Sequence, residues 1–133
     1  MELLPVRFNP GDDLRRSLEA FAQGPEQRSA FLISGIGSLG DARLRLAGEA
    51  EETIVPGPLE IISIAGSVSP DGAHLHMSVA DRAGRVSGGH VGYGNIVRTT
   101  VEAVLVQLPA WSLTREFDAA TGFKELSIRK GQP

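Results

Sequence analysis

Residues 59–81 read LEIISIAGSVSPDGAHLHMSVAD, and this stretch decides the fold. Leu59 to Val68 is an apolar run whose isoleucines and valine suit a strand. Ser69-Pro70-Asp71-Gly72 closes the run, because proline presets the backbone of a tight turn and glycine accepts the conformations that end it. Residues 73–81 then return as the partner strand. The expected unit is an antiparallel hairpin.

On the N-terminal side, residues 2–8 read as a first strand, and Asn9-Pro10-Gly11-Asp12-Asp13 supplies a helix start with Asn or Asp as cap. Leu14, Leu18, Phe21 and Ala22 fall on one helical face, and Gly24-Pro25 stops the chain beyond them. Short β-prone runs follow at Ser29–Ile36, Ala42–Leu46 and Thr53–Val55. On the C-terminal side Asp81-Arg82-Ala83-Gly84 marks a second turn. Ile96–Leu108 carries enough Val and Thr to favour a strand over the helical face it also fits, and Phe123–Ile128 closes the chain. The expected fold class is α+β: a largely antiparallel sheet of about six or seven strands with one principal helix packed on it.

The 133 residues suit one domain, 1–133, with a substantial core. Hydrophobic residues at 41% and charged residues at 22% are an ordinary globular balance. With no cysteine, disulfides, thiolate metal sites and cysteine nucleophiles are excluded, so a metal must be held by His, Asp, Glu or backbone. No leader and no bilayer-spanning run is seen, and the expected location is the cytoplasm. Lys plus Arg number 13 against 16 Asp plus Glu, a net charge of −3, which argues against autonomous DNA binding. An oligomer that gathers Arg43, Arg45 or Arg98 onto one face remains the open route to it.

Several segments in order resemble the bacterial, stand-alone form of the PPC (plants and prokaryotes conserved) domain. They are Pro10-Gly11-Asp12-Asp13-Leu14, Ser34-Gly35-Ile36-Gly37-Ser38-Leu39, the strand pair Leu59–Gly66 and His74–Asp81, Gly88-Gly89-His90, and Thr121–Leu126. The resemblance implies a homotrimer related to DNA-associated plant nuclear proteins. Two features of the plant members are missing. Their Gly-Arg-Phe-Glu-Ile-Leu stretch is replaced by Gly57-Pro58-Leu59-Glu60-Ile61-Ile62, and no Arg-Gly-Arg-Pro hook for the minor groove occurs. The expectation is therefore weak or no direct DNA binding by the isolated chain. A trimer also agrees with the pattern, since one helix covers only part of such a sheet.

His74 and His76 are two apart on one strand, so their rings project from the same face. With His90 they form a candidate three-nitrogen site for zinc or another divalent transition metal, leaving one position open. The alternative is a pair of half-exposed strand histidines satisfied by water. Gly88, Gly89 and Tyr93 belong to a segment in which four of seven residues, 88–94, are glycine. It either wraps a ligand beside His90 or makes a tight crossing of backbones. Glu102, beside Arg98 and Thr100 on one strand face, is a weak catalytic candidate as histidine orienter or base. Residues 35–40, GIGSLG, spell a dinucleotide fingerprint, but strand alternation follows where that motif needs a helix. Two classes stay open: a homotrimeric binding module with a histidine metal site, or a metal-dependent enzyme acting on a small molecule.

Overall fold

The computed structural model describes residues 1–24 and 29–131. Ten strands and one short helix follow in the order β1 (Glu2–Phe8), α1 (Leu14–Glu19), β2 (Ala30–Leu39), β3 (Ala42–Arg45), β4 (Glu52–Val55), β5 (Leu59–Ser69), β6 (Gly72–Ala80), β7 (Val86–Val91), β8 (Val97–Gln107), β9 (Trp111–Asp118) and β10 (Phe123–Lys130). Eight strands pair antiparallel in the order β1-β8-β2-β5-β6-β7-β3-β4, while β9 and β10 form a separate hairpin. No helix among the described residues is long and apolar enough to cross a membrane.

This architecture corrects the expected α+β class. The molecule is mostly antiparallel β, and among the described residues there is no principal helix. Asp13 does cap α1, accepting the Arg16 N–H at 3.1 Å, and Leu14 and Leu18 are fully buried. The helix nevertheless ends at Glu19. Phe21 and Ala22 donate to carbonyls only three residues back, the tight geometry in which helices close. Ala22 still reaches the core through this turn, so the apolar face seen in the sequence is real but belongs to a plug of one and a half turns. Pro25, the expected stop, lies outside the described residues.

The strand count rises because two further segments, β7 and β9, pair as strands. β7 carries Gly88 and Gly89, and tight packing explains them. A Cβ on Gly89 would lie 2.7 Å from the Arg45 carbonyl oxygen, and one on Gly88 3.0 Å from that of Met77. β9 alternates apolar and polar residues from Trp111 to Phe117 and pairs with β10 across the turn after Asp118.

The hairpin of residues 59–81 forms as expected, with Ser69 opposite Gly72. A register shift between Ile61 and Ser63 resets the alternation of β5. Leu59 and Ile61 point into the core before it, Ile64 and Val68 after it, and Ile62 and Ser63 are both left outside. The core thus holds Leu32, Leu59, Ile64, Leu75, Val79 and Leu105 on the face that α1 covers. On the outer face one row crosses five strands: Leu3 opposite Val106, Val106 opposite Phe31, Phe31 opposite Ser67, and Ser67 opposite His74.

Gly66 on β5 packs tightly against β6, and a Cβ there would run into the His74 carbonyl oxygen. Gly66→Ala is expected to cost about 1–3 kcal/mol of stability by forcing the pair apart. Gly40→Ala, with nothing within 4 Å of the added methyl, serves as control and should stay within about 0.5 kcal/mol. Urea denaturation of the two variants checks the contrast.

Candidate metal centre

β6 lies between β5 and β7, and directly opposed residues of an antiparallel pair share a face. His76 stands opposite Ala65 on one side and His90 on the other, while His74 is two residues back on the same face. The three rings converge. His76 Nε2 lies 3.2 Å from His74 Nε2 and 3.1 Å from His90 Nδ1, and the three ligand nitrogens all fall within 4.8 Å of one another. The His76 ring stands at 82° and 84° to the other two, which are themselves 5.4 Å apart between centroids. His74 and His90 lie within 8° of parallel, and the His76 ring is presented edge-on to both, with its Nε2 near a nitrogen of each.

That arrangement has a consequence for protons. A single ring nitrogen carries either one hydrogen or one lone pair. His76 Nε2 can therefore make both short contacts only as a shared donor or a shared acceptor. A cation at the centre satisfies all three lone pairs at once. Zinc–nitrogen bonds of about 2.0–2.1 Å in tetrahedral geometry set ligand nitrogens about 3.3–3.4 Å apart, close to the two short separations here.

The electrostatics favour the neutral form of His74 and His90, the form a metal requires. Burial holds the His74 pKa below its ordinary value, assisted by Arg115 and by the other two histidines and opposed by Glu125. Burial likewise lowers His90, with Arg45 and His76 adding to the effect. Arg45 stands opposite His90 across the β3–β7 ladder. Arg115 comes from β9 and donates to Ser67 Oγ at 2.6 Å, directly beside His74. The hairpin thus lies over this end of the site, which explains why Ser67 is buried on an outer face.

Gly88 and Gly89 are part of β7 itself and lie against its neighbours' backbones, as described above. Tyr93 follows the strand and is turned toward the core side. Its hydroxyl donates to the Glu19 carboxylate at 2.9 Å, and Arg15 and Arg16 stack over its ring. Burial and that bond raise the Tyr93 pKa. Glu19 also accepts the Ala73 N–H and the Arg15 guanidinium, both at 3.0 Å. Asn95, fully buried, bonds both backbone groups of Arg43 and so fixes the loop after β7 to β3. Glu102 is not with the histidines. It lies on β8, three strand positions from β6, opposite Arg7 and Ile36 in a shallow groove of about 530 Å³. Neither Arg115 nor Glu125 was singled out from sequence.

Residues 1–109 match the family model of the Plants and Prokaryotes Conserved (PCC) domain. The chain belongs to the PCC domain family. It is 42% identical over 130 residues to the bifunctional protein GlmU of Synechococcus sp. (strain JA-3-3Ab), an alignment covering 98% of this chain and 21% of that protein. The chain spans about a fifth of the length of the curated relatives it matches. Among solved structures, a hypothetical protein from Salmonella enterica superimposes with a TM-score of 0.92 at 38% identity, covering 97% of this chain and 94% of that one. A protein from Archaeoglobus fulgidus described as metal-containing superimposes with a TM-score of 0.74 at 26% identity, covering 94% and 92%.

The lowered pKa values of His74 and His90 make stability depend on pH with a definite sign. Below about pH 6.5 the unfolded chain takes up protons that these native rings resist, so the native state loses ground as pH falls through that range. For the metal-free PCC domain, the urea midpoint is expected to be lower at pH 5.5 than at pH 7.5, and the difference should shrink in His74→Gln. An equal pH dependence in both proteins would assign it to other groups.

Proposed function

We propose that this PCC domain is a homotrimeric binding module whose outer face holds one divalent transition metal on His74, His76 and His90. The observation that carries the reading is the shared position of His76 Nε2, within 3.2 Å of a nitrogen on each neighbour. Imidazole suits zinc, copper and nickel, whereas magnesium and calcium prefer oxygen, so zinc is the expected ion. The description of the Archaeoglobus fulgidus relative as metal-containing supports the same reading.

Three protein nitrogens leave a tetrahedral ion one position for an outside ligand, where it acts as a Lewis acid. Water bound at that position would favour the second reading, a metal-dependent enzyme acting on a small molecule. Glu102 does not supply such an enzyme's base within one chain, being about 14 Å from β6 along the sheet at ordinary strand spacing.

The trimer is supported by the outer face. Leu3, Ile33 and Ile36 are more than half exposed there, next to Pro5, Val104 and Phe31. An apolar surface of this kind normally finds a partner. A DNA-associated role receives less support. Arg43 and Arg45 on β3 are five strand positions from Arg98 on β8, so a single chain offers no basic stripe from them, and the net charge of −3 leaves few counterions to release.

Protein purified without a histidine tag is expected to carry about one zinc per chain by elemental analysis, held by the three converging nitrogens. His76→Ala should remove most of it while far-ultraviolet circular dichroism stays unchanged, and dialysis at pH 5 should release it from the parent protein. Metal content that is insensitive to His76 would overturn the site. Light scattering should give about 42 kDa, three times the 14.1 kDa chain, whereas a monomer at micromolar concentration would sink the trimer.

A further inference from the structure

The histidine triangle has a cation at each of two edges, and neither is used up by the fold. Arg45 shares the outer face with His90, and its guanidinium donates to the Glu49 carbonyl at 3.1 Å. Arg115 reaches over from β9 and spends one N–H on Ser67 Oγ, leaving the others of its five-donor fork. Among the described residues neither arginine forms an ion pair. Both act on the rings electrostatically, Arg115 on His74 and Arg45 on His90, while Glu125 opposes Arg115 at His74. Glu52 stands opposite Arg45 across the β3–β4 ladder, so each arginine has one carboxylate near it and the metal-free rim is close to charge balance.

Neutral imidazoles contribute no charge to offset a divalent ion, so a loaded site adds two positive charges to this rim. Such a site selects against cationic and neutral ligands and favours an anion. Oxygen anions ligate zinc, and they also match the parallel N–H pairs of a guanidinium.

Resting on the metal reading above, we propose that the open position takes an oxyanion, the carboxylate or phosphate group of a small molecule, held between the metal and the Arg115 guanidinium with Arg45 on the opposite rim. Arg115 lies on the hairpin of residues 111–130, beyond the 1–109 region that defines the family match. The hairpin is then the part of this chain that sets which ligand the histidine site accepts. Glu125, on the same hairpin, limits the charge the ligand brings.

The test uses the full chain loaded with cobalt(II), whose visible absorption reports changes at the open position. Wild type, Arg115→Gln and Arg45→Gln are brought to equal cobalt occupancy and titrated with inorganic phosphate and, separately, with acetate in a non-coordinating salt of constant ionic strength. Saturable spectral change with at least one probe is expected in wild type, and its dissociation constant should rise about tenfold or more in Arg115→Gln, the loss of a charge-assisted hydrogen bond. The stronger probe tells a phosphate ligand from a carboxylate. If Arg115→Gln does not fold, Arg45→Gln carries the comparison with a weaker but same-signed effect. Cobalt uptake without an anion response, or equal affinities in all three proteins, overturns this proposal and leaves the metal reading standing. Failure of wild type to take up cobalt or zinc overturns both.

Discussion

The register of β6 against β5 and β7 is the constraint from which the outer face follows. Because side chains alternate along a strand, a slip of one residue would send His74 and His76 into the core and bring Leu75 and Met77 out. Burial of Leu75, Met77 and Val79 prevents that slip, so the apolar half of β6 fixes the polar half. The irregularity between Ile61 and Ser63 serves the same end from β5. Without it, the phase that buries Leu59 and Ile61 would not also bury Ile64 and Val68, and Ala65 and Ser67 would not face the histidines.

Part of this was legible in the sequence. The hairpin of residues 59–81 is written in its turn residues and apolar run, and the pairing of two imidazoles on one face follows from a spacing of two. Other parts were not. The β7 segment reads as a loop because glycine has low strand propensity, yet its glycines are required by the closeness of the Arg45 and Met77 carbonyls, a tertiary cause invisible along the chain. The spacing of Leu14, Leu18, Phe21 and Ala22 does give a helical face, but periodicity does not reveal where hydrogen bonding changes from four residues back to three. Trp111 to Phe117 alternates well enough to have been read as a strand. That its Arg115 reaches the histidines depends on where the hairpin folds back, which local pattern does not encode.

The local electrostatics also run against the composition. Burial, together with the guanidinium groups that an acidic chain places beside them, disfavours protonation of His74 and His90. Proton and metal compete for the same lone pairs, so a rim that repels one at neutral pH leaves the nitrogens available to the other.

Glu19 ties the histidine triangle to the far side of the sheet. One carboxylate, almost fully buried, holds the amide of Ala73, the residue before His74, and the hydroxyl of Tyr93, three residues after His90. Both backbone segments that carry the outer pair of rings are thus pinned by a single anchor beneath them. Ordering these segments is then a cost borne during folding rather than during ion capture, and the gap between the rings is held near one width. A cradle of fixed width would discriminate among ions by radius and preferred geometry as well as by ligand chemistry, so any choice of metal would be partly made by a side chain that never meets it.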